Sequence, residues 1–259
     1  MRENDLNKGV GKPLIVAGLG DVGVQLDNCF LPLGLVQESG LGTRKYVVAL
    51  NGRSATISIA ARSRTQYITS DIRYRKFTGL WLDISVETPV MSRLMLGQPR
   101  GWARRFSAFV QRWRGQQPIE NAPNLTENFI AFAHDPAWGE TFLADTAVQS
   151  HLILLMNNAT LPPGAAVYLT PGKWMWTTPA MPSDFTPEAA QQWLQALGHL
   201  AALAEQLPPG TAVQPSWLEK QNPTVSAFLL ASIFLFGLPL LLFACCAIPA
   251  LALILLNAR

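Results

Sequence analysis

The C-terminal run from Val225 to Leu256, VSAFLLASIFLFGLPLLLFACCAIPALALILL, limits what this chain can become more than any other stretch. It spans 32 residues without a charge, and its only side-chain hydroxyls are Ser226 and Ser232. About 18 consecutive apolar residues already suggest a membrane-crossing helix, because a helix closes its backbone hydrogen bonds without water. At about 1.5 Å per residue the run would reach about 48 Å as a straight helix, against a hydrocarbon core of about 30 Å. Tilt, emergence, or a kink at Pro239 or Pro249 absorbs the excess. A hairpin about Pro239 would leave arms of about 14 and 17 residues, short for two crossings. The run therefore reads as one transmembrane anchor over residues 224–257.

Its flanks agree. Asn222 and Pro223 supply a helix cap and a first-turn proline. Trp217 lies where interfacial aromatics are favoured, with Lys220 beside it. Lys220 and Arg259 on opposite sides leave orientation undecided by charge. The N-terminal MRENDLNKGVGKPLIVAG lacks the apolar core of a secretory signal, which leads us to expect a tail anchor with the body facing the cytoplasm. The three cysteines, Cys29, Cys245 and Cys246, build no disulfide framework or zinc pattern, which suits a reducing compartment.

Charge is sparse, 14% of residues against about 25% in ordinary soluble domains. It is also segregated. Residues 44–114 hold fourteen Lys/Arg and only Asp71, Asp83 and Glu87, a net +11, which leaves −8 on the remainder. Such segregation creates a field that attracts an anionic partner.

Along the chain, Pro13-Leu-Ile-Val-Ala-Gly18-Leu19-Gly20-Asp21-Val22-Gly23 sets a short apolar strand before G-x-G-x-x-G. This resembles the dinucleotide-binding fingerprint of Rossmann enzymes, which implies pyrophosphate at a helix N-terminus. A membrane-tethered NAD(P)-binding enzyme is one alternative function that follows, and a binder of anionic lipid surfaces through the basic segment 44–114 is the other. The continuation departs from the family pattern. VQLDNCFLPLGLVQESGLG is broken by Pro32, Gly34, Gly40 and Gly42, where an amphipathic helix should lead into a parallel strand ending in an acid. A glycine-rich turn is the other reading of the motif.

Asn51-Gly52 between Tyr46–Leu50 and Ala55–Ile59 is a strong hairpin signal, and a hairpin there removes the crossover a Rossmann unit needs. Alternation turns Ile57 and Ile59 inward, and likewise Leu80, Leu82, Ile84 and Val86, with Trp81, Asp83, Ser85 and Glu87 outward. Tyr67–Phe77 reads as a further strand carrying Asp71, Arg73 and Arg75, and Val90–Leu96 as another after Pro89. The expectation is a meander of four or five strands with one greasy face and one rich in arginine.

Arg100, Trp102, Arg104, Arg105, Phe106, Phe109, Arg112, Trp113 and Arg114 then fall on a basic amphipathic helix with aromatics at helical spacing and no acid. Bulky aromatics among arginines suit a bilayer interface, where arginine stems snorkel to anionic headgroups. They equally suit a helix that packs its aromatics on the sheet and leaves its arginines wet.

Residues 115–124 read as a linker. Beyond it come a strand at 129–133, a helix capped by Asp135-Pro136, a helix over 146–157, and a hairpin about Pro171-Gly172. A long helix follows from Thr186, with Trp193, Leu197, Leu200, Ala204 and Leu207 as its stripe. No hydrolase, metalloprotease or phosphate-loop motif occurs. His134, Asp135, Glu140, Asp145 and His151 make the one acid–base cluster, with Asp135 already used as a cap.

The expected fold class is α+β: an N-terminal antiparallel β-meander, then helices and a β-hairpin, plus one C-terminal transmembrane helix. The division is a β-rich subdomain over 1–115 ending in the basic helix, an α/β subdomain over 116–207, a linker over 208–223 and the anchor. The expected role is a non-catalytic accessory, scaffold or assembly subunit of a membrane complex. Its expected partners are the bilayer, another protein and anionic lipid, with no nucleic acid and no cofactor.

Overall fold

The structure, a computed structural model, describes residues 19–38, 43–67, 73–98, 102–120, 129–157 and 164–215. The anchor run, Arg100, Trp217 and Lys220 lie outside these residues. Among the described residues no helix is long and apolar enough to cross a membrane.

The chain folds as α1 (Gly20–Phe30), β1 (Val36–Glu38), β2 (Thr43–Leu50), β3 (Arg53–Tyr67), β4 (Arg73–Glu87), β5 (Leu94–Gly97) and α2 (Trp102–Trp113). It continues with β6 (Gln117–Pro118), β7 (Ile130–Ala133), α3 (Pro136–Ala144), α4 (Thr146–Asn157), β8 (Ala166–Thr170), β9 (Lys173–Ala180) and α5 (Pro187–Gln206). The nine described strands form one sheet in the order β1-β2-β3-β4-β9-β8-β5-β7-β6, antiparallel at every pairing. The protein is thus α+β on an antiparallel sheet. Residues 1–213 belong to one compact unit and 214–259 to a second. Because β9 pairs with β4, strands from both sides of the 115–124 linker share the sheet.

Local chemistry explains most of these elements. Asn51 (φ 50°) and Gly52 (φ 79°) close the β2–β3 hairpin with both central residues left-handed, the geometry Asn-Gly favours. Gly172 (φ 84°) follows Pro171 in the β8–β9 turn. Asp135 accepts the Trp138 amide at 3.1 Å and Thr186 accepts that of Ala189 at 3.2 Å, capping α3 and α5.

Three sequence expectations change. Tyr67–Phe77 is not one strand, because the chain reverses within it and Tyr67 pairs with Arg73. Arg73 and Arg75 therefore open a 15-residue β4 that runs through Leu80–Glu87. The meander stops at β4, since β5 covers only Leu94–Gly97 and pairs with β7 and β8. The stretch after Gly18 is an 11-residue helix starting at Gly20 rather than a turn, and it leads to β1, which pairs antiparallel with β2.

One face of the sheet makes the core. Ile57, Ile59, Leu80, Leu82, Ile84, Val86, Trp174 and Trp176 are fully buried beneath α1, α3, α4 and α5. Phe142 stacks on both Trp138 and Trp174, at centroid distances of 5.3 and 5.4 Å. Truncating a buried side chain such as Leu82 to Ala in a core of this kind costs about 2–5 kcal/mol. Glu205 near the end of α5 ties the helix to the strands, accepting from Arg53 at 2.6 Å and Thr88 at 2.8 Å. Burial alone would raise its carboxyl, but the Arg53 and Thr88 hydrogen bonds and the Arg53 charge hold it below its ordinary 4.5.

The opposite face, along the described side chains, carries hydroxyls and a few charges, with Arg62 over the Trp81 ring. Thr56, Ser58, Asp83, Ser85, Thr177 and Lys173 alternate with the core residues. Ser85 is buried there, its hydroxyl donating to the Thr56 carbonyl at 3.4 Å. Met95, Phe132 and Tyr168 share this face on β5, β7 and β8, and Arg114 lies within electrostatic reach of Tyr168. Arg114, directly after the end of α2, is thus near the side opposite the core.

Candidate membrane-facing surface

Helix α2 forms where the sequence predicts it. Among its described side chains, however, the large apolar ones are not the buried ones. Arg104, Arg105 and Arg112 are exposed, and so are Phe106 (54%) and Phe109 (67%). Among the described side chains of α2 the buried one is Gln111, only 6% exposed, whose backbone carbonyl also receives the Gln116 amide at 2.9 Å. A helix held by its tightest packing makes the opposite choice, burying phenylalanine and wetting glutamine. Arg105, Phe106, Phe109 and Arg112 therefore share an outward strip in which two phenylalanines lie beside two arginines. Trp102 and Trp113 are the first and last residues of the helix, and Arg114 follows directly, half-buried toward Tyr168.

The sheet face opposite the core holds two perturbed charges, Asp83 and Lys173. Asp83 accepts from the Trp81 indole at 3.1 Å, and its carboxyl is raised, by burial first, against the lowering effects of Thr177, Trp81 and Lys173. Burial lowers Lys173 in turn, offset by Glu87. Each is moved toward neutrality, the arrangement that a half-dry charged pair adopts.

The remaining expected features are scattered. Part of the +11 segment is neutralised from outside it: Arg44 pairs with Asp27 at 3.2 Å, Arg53 with Glu205 at 2.6 Å, and Lys45 with Glu38. Asp135 is the α3 cap and also accepts from Thr211, through its amide at 3.0 Å and its hydroxyl at 3.1 Å. Asp145 accepts the Ala147 amide at 2.7 Å. His151 leaves that cluster and stacks on His199 of α5, centroids 5.1 Å apart and planes 5° from parallel. Among the described residues no group of three side chains is placed to hold a metal ion. A cavity of about 150 Å³ lies between the sheet and the start of α5, lined by Leu82, Trp176, Thr178, Ala180, Asp184 and Trp193 among others. Its one carboxylate, Asp184, already accepts the Met181 amide at 2.7 Å.

No family model matches this chain, and no curated protein matches it. Among solved structures, the crystal structure of the mycobacterial trehalose monomycolate transport factor A, TtfA, is similar at a TM-score of 0.47 and 8% identity, covering 73% of this chain and 98% of that one.

Proposed function

We propose that this protein is a single-pass, tail-anchored accessory or assembly subunit of a membrane complex. In this reading residues 224–257 cross the bilayer, the sheet-and-helix body stands on the cytoplasmic side, and α2 lies in the bilayer interface. The observation that supports it most is the outward placement of Phe106 and Phe109 beside Arg105 and Arg112, in a chain that also carries a 32-residue uncharged run. Aromatics at the acyl boundary with arginines reaching headgroups is the composition that an interfacial helix requires. The dinucleotide alternative draws no support from the described sheet, which has no parallel crossover.

Two measurements test the proposal. Deleting residues 224–259 should move the chain from the membrane pellet to the supernatant. Retention after a high-salt wash would sink the anchor. On anionic vesicles at low salt, residues 1–223 should bind, and Arg104→Gln, Arg105→Gln and Arg112→Gln together should remove about 3 kcal/mol of that attraction, at about 1 kcal/mol per cation. Equal binding by both would reject the surface helix. Weak binding by both would leave a protein partner as its ligand.

A further inference from the structure

The β3–β4 ladder outruns the rest of the sheet. On one side β2 stops pairing at Thr43 opposite Ala60, and on the other β9 stops at Ala180 opposite Leu80. Beyond these points the register shifts between Arg62 and Ser63, with Gly79 at φ 113° on the facing strand. Such a bulge bends a strand pair and increases its twist. Past it, residues 63–67 and 73–77 pair only with each other among the described residues, a two-stranded ribbon reaching about 17 Å beyond the sheet at about 3.4 Å per residue.

The ribbon holds Arg64, Arg73, Arg75 and Lys76 and no acid, with Arg62 at its base over the Trp81 ring. Arg64 stands directly opposite Lys76 in the register. Like charges directly opposite destabilise a ladder, and a two-stranded ribbon without a sheet beside it is marginal in water. This element therefore favours surroundings that supply negative charge. Tyr67, Tyr74 and Phe77 are interleaved among the cations, and Phe77 is exposed. Aromatics with amphipathic rings belong at the level of lipid headgroups, and basic residues are attracted to the same layer. Position agrees as well. Gly97, where β5 ends before the chain enters α2, lies in the register chain Gly97–Ala166–Thr177–Asp83, at the end of the sheet from which the ribbon projects.

We infer that this ribbon is a second membrane contact, an arm that docks into the anionic headgroup layer next to α2. The inference rests on the membrane reading above but uses different residues. It is tested on the full-length protein in nanodiscs of phosphatidylcholine alone and of phosphatidylcholine mixed with phosphatidylglycerol, by residue-resolved hydrogen exchange. Anionic lipid should slow the amides of 63–67 and 73–77 by about tenfold or more, because exchange there reports local opening of the ladder. Arg64→Gln, Arg75→Gln and Lys76→Gln together should abolish the slowing, while exchange at 80–87 in the sheet stays unchanged and shows the variant folded. Identical ribbon exchange in both lipids would overturn the inference. So would slowing caused by added single-stranded DNA in neutral nanodiscs and by no anionic lipid. A chain that enters neither nanodisc would count against the anchor alone. Slowed ribbon exchange on anionic vesicles added from outside would then still support the arm, and unchanged exchange would overturn it.

Discussion

The guanidinium of Arg44 passes 2.6 Å from the point where a Cβ on Gly23 would sit. Gly23 is helical, so the glycine is not there for a left-handed backbone. It leaves room for Arg44 to cross α1 and reach Asp27, which also accepts the Tyr46 phenol at 2.7 Å. The third glycine of a dinucleotide-like motif thus serves a contact between a helix and a strand.

Replacing Gly23 by Ala brings two opposed effects. Alanine in a helix gains up to about 1 kcal/mol over glycine, whereas displacing Arg44 loosens a partly buried ion pair worth up to about 1 kcal/mol. In the native background the change should be near neutral or destabilising. In an Arg44→Gln background the same change should stabilise by about 0.5–1 kcal/mol. Urea unfolding of the four variants reads the coupling, and an identical effect in both backgrounds would show that Gly23 does not act through Arg44.

Phe106 and Phe109 should be dispensable for folding. Changing both to Ser should shift stability by less than about 1 kcal/mol, as exposed positions do. Phe142→Ala, which opens the stack between Trp138 and Trp174, should cost about 3–5 kcal/mol. Comparable losses from the two changes would mean that α2 is held by its aromatics after all.

The histidine stack makes stability depend on acid. His151 titrates below its ordinary 6.5, through burial first and the charge of His199 second. A histidine that resists protonation in the folded state binds fewer protons there than in the unfolded chain. Stability is therefore unaffected at high pH, begins to fall as pH drops through about 6.5, and stops falling below the folded value. His199→Gln removes the second cause and should shrink the loss of Tm between about pH 7.5 and pH 5.5. An unchanged loss would make the stack electrostatically silent.

Sequence alone determined the local decisions. Asn51-Gly52 closes a hairpin, Pro171-Gly172 closes another, Asp135 and Thr186 cap helices, and the alternation through Leu80–Val86 names the core face, because turn geometry, orphan amides and side-chain period act over a few residues. The aromatic–arginine helix was legible for the same reason. Tertiary structure decided what distant residues do to one another. It brought β9 beside β4, left the ends of β3 and β4 as a ribbon, and brought Glu205 of α5 to Arg53 of β3. It also turned Gln111 in and Phe106 and Phe109 out. Helical spacing defines the stripes on α2, but which stripe faces inward depends on the tertiary neighbours, which no short-range pattern names.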